Sequence, residues 1–283
     1  MFCDKIETNV IFGIKDVFYE KIKIEIEVAN LKHYEKMLEL GCFSIRDIEK
    51  LTGSRAAAMS ILYDYQKKGF IERVKHDRYV VISLETKQPV LSRYQIGMKL
   101  FPGAFISHHS AFEVYGYANQ VFYETYVTCE SRFSDFEYDG IYYHRMAPKH
   151  GMDVTEVSGV KVAGVEQTVV DMLNSFEKNA GLEETLRCME LIPSLNCGKL
   201  LDALAVYGNG FLYQKCGLIL EQMNDTFLLP KTFFDECKKK ISGSKRYLMK
   251  EYKDDVKYYE RWNLYAPDHI GKLIGKGVDK SAV

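Results

Sequence analysis

An arginine in the first turn of a recognition helix can hold a guanine edge through two parallel hydrogen bonds. Arg55 is placed for that role. Thr52-Gly53 stops the preceding segment, Ser54 stands as a cap, and Arg55 opens a helix running to Lys68. Met59, Ser60, Tyr63 and Lys67 fall at outward positions of the same helix. Past Gly69, Lys75, His76 and Arg78 crowd the joint of two short strands. Hydroxyls and cations of this kind reach phosphates. Taken singly, Lys67 or His76 is what any solvated face carries. Taken together, Ser54, Arg55, Met59, Ser60, Tyr63, Lys67, Lys75, His76 and Arg78 predict a surface that reads double-stranded DNA.

Other chemistries find less support. His108 and His109 are adjacent and so do not share a helix face, and no His pair has i, i+4 spacing. The seven cysteines, at 3, 42, 129, 188, 197, 216 and 237, are odd in number and contain no Cys-x-x-Cys. That spacing argues for reduced thiols in a cytoplasmic protein and against a zinc ribbon. Glu166 and Asp171 are five residues apart, which does not align them for acid–base work; Asp171 reads as a buried anchor or a surface charge. The chain has no Gly-rich phosphate loop, no Gly-x-Ser-x-Gly and no His-Glu-x-x-His. Gly53-Ser54 could open a nucleotidyltransferase-like element, but no Asp-x-Asp follows. The expectation is therefore no catalytic residue, no cofactor and no metal. Two alternatives stand beside DNA reading: a defence-associated nuclease or other enzyme positioned by the same domain, and a regulator that senses a ligand.

The elements that would position these residues fall in order. Residues 31–40 predict a helix burying Leu31, Tyr34, Met37 and Leu38. Ser44 with Asp47 three residues on opens a second helix, with Ile45, Ile48 and Leu51 as its stripe. The third helix buries Ala58, Ile61, Leu62 and Tyr65. Strands at 70–75 and 78–82 then join at His76-Asp77. Three helices and a tight hairpin predict a winged helix-turn-helix over 31–90. Residues 1–30 form an extension in which 21–28 alternates like a strand. Residues 84–103 read as a connector containing a helix from Arg93. A second α+β region extends over 91–271: a small antiparallel sheet over 104–163, with turns at Asp139-Gly140 and Ser158-Gly159, then helices near 165–173, 182–191, 195–206 and 211–223. Residues 272–283 read as a loose tail.

Composition sets the limits. The chain has 283 residues, 47% hydrophobic and 27% charged, which suits two globular domains. With 38 Lys+Arg against 39 Asp+Glu, binding to nucleic acid by bulk charge is excluded. Local charge is positive: +3 over 31–83 and +4 over 231–262. No apolar run reaches the length of a membrane span, and the N-terminus lacks the apolar core of a signal peptide.

Three motifs carry a resemblance. Phe105-Ile106-Ser107-His108-His109-Ser110-Ala111-Phe112 resembles the Ser-His-x-Ser-Ala-Leu element of the AbiEi-type antitoxins of bacterial abortive-infection systems, the regulators of type IV toxin–antitoxin pairs. Glu166-Gln167-Thr168-Val169-Val170-Asp171 is similar to that family's Glu-Arg-Thr-Leu-x-Asp element, with Gln167 where the family often has Arg. Leu212 to Glu221 resembles its Arg-Leu-Gly-x-Leu-Leu-Glu helix, with Gln214-Lys215-Cys216 replacing the usual basic-Leu pair. With the N-terminal helices, the resemblance covers residues 31–225. It implies a DNA-binding repressor of its own operon, and a cognate nucleotidyltransferase-like toxin that need not be bound stably. It implies no catalytic residue in this chain.

Overall fold

The computed structural model describes residues 33–249, 256–268 and 270. The strand expected at 21–28 and the tail expected at 272–283 lie outside these residues. The chain divides into two compact units, residues 1–92 and 93–283.

In the first unit, α1 (33–40) ends at Gly41, whose N–H closes on Met37. It is followed by β1 (Cys42–Phe43), α2 (Ile45–Thr52), α3 (Arg55–Lys67), β2 (Ile71–Lys75) and β3 (Arg78–Val81). The three strands form an antiparallel sheet in the order β1-β3-β2. Tyr34, Met37, Phe43, Ile48, Ala58, Leu62, Tyr65, Ile71, Tyr79 and Val81 fill the core between helices and sheet. The Tyr34 hydroxyl donates to the Ile82 carbonyl at 2.7 Å, which ties α1 to the end of β3. Leu38 and Leu51, expected inside, are exposed. Each lies at the edge of its helix's apolar stripe, and Tyr34, Met37 and Ile48 occupy the core face. Strand β1 was not expected; it is two residues long, too short to show a pattern.

The second unit is built on a six-stranded sheet. Its strands are β4 (Phe105–Ile106), β5 (Glu124–Thr128), β6 (Phe136–Tyr138), β7 (Ile141–Met146), β8 (Val154–Val157) and β9 (Val160–Ala163), in the order β6-β7-β5-β4-β9-β8. The expected antiparallel sheet is a mixed one, since β5 runs parallel to β7 and β4 parallel to β9. The hairpins β6–β7 and β8–β9 form as expected, with Asp139-Gly140 and Ser158-Gly159 at positive φ in the turns. The return strand of each hairpin joins the central pair, and that placement makes the parallel neighbours.

Helix α4 (Arg93–Lys99), expected within a connector, belongs to this unit, where Gly97 lies against Ile106, Thr125 and Val127. Helix α5 (His108–Tyr115) meets the alternate residues, Tyr126 and Thr128. Successive side chains of a strand point to opposite faces, so α4 and α5 cover opposite sides of β5.

The helical part comprises α6 (Val165–Ser175), α7 (Gly181–Glu190), α8 (Cys197–Tyr207), α9 (Gly210–Gln222), α10 (Asn224–Phe227) and α11 (Lys231–Lys240). Helix α11 follows from Pro230 at its N-cap and buries Phe233, Phe234 and Cys237; Lys238, Lys239 and Lys240 in its last turn complement the helix dipole. A second sheet, β10 (Arg246–Tyr247), β11 (Lys257–Tyr259) and β12 (Leu264–Ala266), completes the unit. Among the described residues no helix is long and apolar enough to cross a membrane.

Helix α9 is buried along its whole middle, from Leu212 to Leu220. Gly217 faces Trp262, and a Cβ there would overlap the indole ring. The indole N–H donates to Glu221 Oε2 at 2.6 Å. The Gln214 Nε2 group donates to the carbonyls of Ser244, Trp262 and Asn263 at 3.2, 2.9 and 3.1 Å. Gly217→Ala should therefore displace the chain's one tryptophan and cost about 1–3 kcal/mol of stability. Thermal unfolding followed by tryptophan fluorescence measures both effects; an unchanged Tm with unchanged emission would contradict this packing.

Candidate nucleic-acid interface

The exposed side of α3 carries most of the expected DNA-reading residues. Arg55, Met59, Tyr63 and Lys67 recur every four residues and are all exposed, while Ala58, Leu62 and Tyr65 face the core. Ser60 lies beside this ridge and is exposed as well. Met59 and Tyr63 keep 55% and 67% of their surface in water. Ser54 holds the N-cap position with extended backbone, but its hydroxyl makes no capping bond, contrary to expectation. The Ser54 carbonyl accepts the Ala58 N–H at 2.9 Å, the first bond of the helix, and the Thr52 hydroxyl at 3.0 Å. Arg55 lies 3.7 Å from the Glu49 carboxylate, with both groups open to water.

The hairpin tip is anchored. Asp77 takes a left-handed backbone at φ +57°, which Asp tolerates in tight turns. Its Oδ1 accepts the Ile45 N–H at 2.9 Å, satisfying one of the orphan donors at the start of α2. Arg78 donates to the Asp77 carbonyl at 2.8 Å and lies 3.5 Å from its carboxylate. Asp47 works at the same helix start, accepting the Ser44 N–H at 2.9 Å and hydroxyl at 2.7 Å. Burial acts to raise the Asp47 carboxyl. The two Ser44 bonds, with Lys50 and Arg78 nearby, outweigh burial and hold it below its ordinary value. His76 is exposed at the tip, while Lys75 and Arg78 are half-buried. The anchoring role of Asp77 was not foreseen; its partner lies 32 residues away in the chain.

The motif residues of the second unit point inward. The Ser107 hydroxyl bonds Thr128 at 2.7 Å and His108 Nδ1 at 2.8 Å, so it serves the sheet and does not cap α5 as expected. Burial lowers the His108 imidazole to about 4, which keeps it neutral. The Ser110 hydroxyl accepts the Tyr126 N–H at 3.1 Å. Glu166 accepts the Asn196 N–H at 2.8 Å, which fixes the start of α8. Lys215 lies buried over the Phe176 and Phe211 rings, at 4.7 and 4.9 Å from their centres, and burial lowers its pKa. One group of metal donors converges among the described residues: His109, Glu184 and Cys188.

Asp171 is fully buried on α6. Its Oδ1 accepts the Gln167 side-chain N–H at 2.6 Å and the Tyr207 hydroxyl at 2.8 Å. Its Oδ2 has no partner. Burial pushes the carboxyl from its ordinary 3.8 up to about 7, against the lowering effect of the two donors. In the folded state it then keeps its proton over a range where the unfolded chain loses it. The stabilising contribution is whole below about 3.8 and fades as pH rises through about 7. Asp171→Asn keeps the accepting oxygen and removes the titration. The variant should gain on the native protein by a few degrees of Tm between pH 5 and pH 8. Thermal unfolding at the two pH values checks this, and a pH-independent difference would contradict it.

No protein-family profile matches the chain, and no curated protein matches it. Its structure is similar to the crystal structure of the RV2827C protein from Mycobacterium tuberculosis, with a TM-score of 0.56 at 12% identity. The match covers 82% of this chain and 88% of that one. This is a larger share than the second unit alone could supply, so the likeness draws on elements of both units.

Proposed function

We propose that the protein is a DNA-binding transcriptional repressor and antitoxin of an abortive-infection, phage-defence system, acting in the cytoplasm on the operator of its own operon. The observation that carries this reading is the exposed ridge of α3, with Arg55 in its first turn and Met59, Ser60, Tyr63 and Lys67 behind it. In the proposed docking the first unit acts as a winged helix-turn-helix. Helix α3 enters the major groove, and the His76–Asp77 hairpin lies along the backbone with Lys75 and Arg78 behind its tip. The second unit is read as the antitoxin domain, opposing a cognate nucleotidyltransferase-like toxin without requiring a stable complex. The family resemblance of its three motifs supports this.

Fluorescence anisotropy with promoter DNA from upstream of the gene tests the reading in the full chain. Arg55→Ala should weaken specific binding by about 1–3 kcal/mol and relax discrimination at one base pair. Lys67→Ala should weaken all sequences alike and lower the slope of log K against log salt by about one. Unchanged binding in both variants would remove α3 from the interface. Co-expression with a neighbouring nucleotidyltransferase-like toxin should restore growth, and failure to do so would refute the antitoxin role.

A further inference from the structure

Helix α5 and helix α7 bring three different metal-binding side chains together. His109 Nε2 lies 3.3 Å from Glu184 Oε1, and Cys188 Sγ lies 3.3 Å from the same oxygen. All three donor atoms fall within 4.8 Å of one another, and all three residues are buried. Glu184 and Cys188 are i, i+4 on α7, so one helix face supplies two donors. A tetrahedral zinc ion with ordinary Zn–S, Zn–N and Zn–O bonds sets its ligand atoms roughly 3.4–3.6 Å apart. The two measured edges are close to that spacing before any ion is considered.

The surroundings have the features that metal-binding histidines need. The second imidazole nitrogen of His109, Nδ1, lies 3.5 Å from the buried Glu113 carboxylate, which orients the ring and leaves Nε2 to face Glu184. Glu113 is itself held by Arg93 at 2.8 Å, the Tyr94 hydroxyl at 2.9 Å and the Phe122 N–H at 3.0 Å. Glu184 is steadied by the Gln120 N–H at 3.0 Å and the Asn119 side chain at 3.3 Å. A cavity of about 340 Å³ lined by Gln120, Phe122, Ala180, Glu183, Glu184 and Arg187 opens beside the carboxylate. His108, the neighbour in sequence, turns toward Ser107 and Tyr126 and takes no part.

We propose that His109, Glu184 and Cys188 form a binding site for a thiophilic divalent cation, zinc foremost, with a fourth position open to the cavity. Thiolate, imidazole and carboxylate together select a borderline-soft ion over magnesium or calcium. One thiolate and one carboxylate neutralise its two charges, and the Cys188 thiol proton, which lies toward Glu184, leaves to solvent as the sulfur coordinates. The ion would clamp α5 to α7. This site is independent of the DNA-binding reading and stands or falls separately from it.

The test uses the full chain, reduced and stripped with chelator, then titrated with Co²⁺ as a spectroscopic probe. One equivalent should give visible bands of tetrahedral intensity and a near-ultraviolet thiolate-to-cobalt band, both abolished by Zn²⁺. Cys188→Ser should remove the thiolate band, while Cys129→Ser should leave it intact. Glu113→Gln should weaken binding about 10- to 100-fold without changing the band's position. X-ray absorption of the zinc-loaded native protein needs no variant. It should show one sulfur near 2.3 Å and the remaining nitrogen or oxygen ligands near 2.0–2.2 Å. Absence of a thiolate band at stoichiometric Co²⁺, its survival in Cys188→Ser, or a sulfur count other than one would overturn the proposal.

Discussion

A helix buried along its middle must pack closely against whatever covers it, and on α9 that constraint is met at Gly217 by Trp262. Gln214 and Glu221 lie one turn before and one turn after Gly217, and both reach into the segment that holds Trp262. The glycine opens the space that the indole fills, and the two polar side chains bind its backbone and its N–H. Arg261 beside it pairs with Glu221 and with Asp235 of α11. The small sheet β10-β12-β11 is thus held to the helical core by the burial of Trp262, Leu264 and Ala266 together with these hydrogen bonds. A buried donor left without its acceptor costs about 1–3 kcal/mol, so the register of this segment on α9 is strongly selected.

Helix α6 buries a polar group that is only half satisfied, since Asp171 Oδ1 is bonded and Oδ2 has no partner. Gln167 supplies a neutral donor to Asp171. A guanidinium there would stabilise the ionised carboxylate. The amide favours the ionised form only through its hydrogen bond, and burial wins over that bond and the one from Tyr207, so the carboxyl holds its proton toward neutral pH.

Local pattern made much of the fold legible. The period of Ala58, Leu62 and Tyr65 gives α3 and its core face, and the paired turn residues at 139–140 and 158–159 give two hairpins. Long-range pairing was not legible. The parallel contacts of β5 with β7 and β4 with β9 depend on where each hairpin's return strand lands, which no local period encodes. The candidate DNA-reading surface divides in the same way. Arg55 and Lys67 follow from helix spacing, whereas the tie from Asp77 to Ile45 joins residues 32 apart. His109 and Glu184 are 75 residues apart, and only the i, i+4 relation of Glu184 and Cys188 was open to reading in advance.

The proposed docking is also favourable in its energetics. Arg55 would exchange an ion pair with Glu49 for a base contact. Both groups of that pair are exposed at 3.7 Å, and such pairs contribute about 0–1 kcal/mol. A bidentate contact to guanine is worth about 1–3 kcal/mol of discrimination, so the exchange runs toward DNA. The ridge carries little of the fold's burden, since the core face of α3 is made by other residues. The hairpin tip adds a second economy. With Asp77 bound to the start of α2, the turn is ordered before any partner arrives, and less conformational entropy is lost on contact. Arg78 is itself part of that ordered turn through its contacts with Asp77, whereas Arg55 and Lys67 stand on α3 outside its core face.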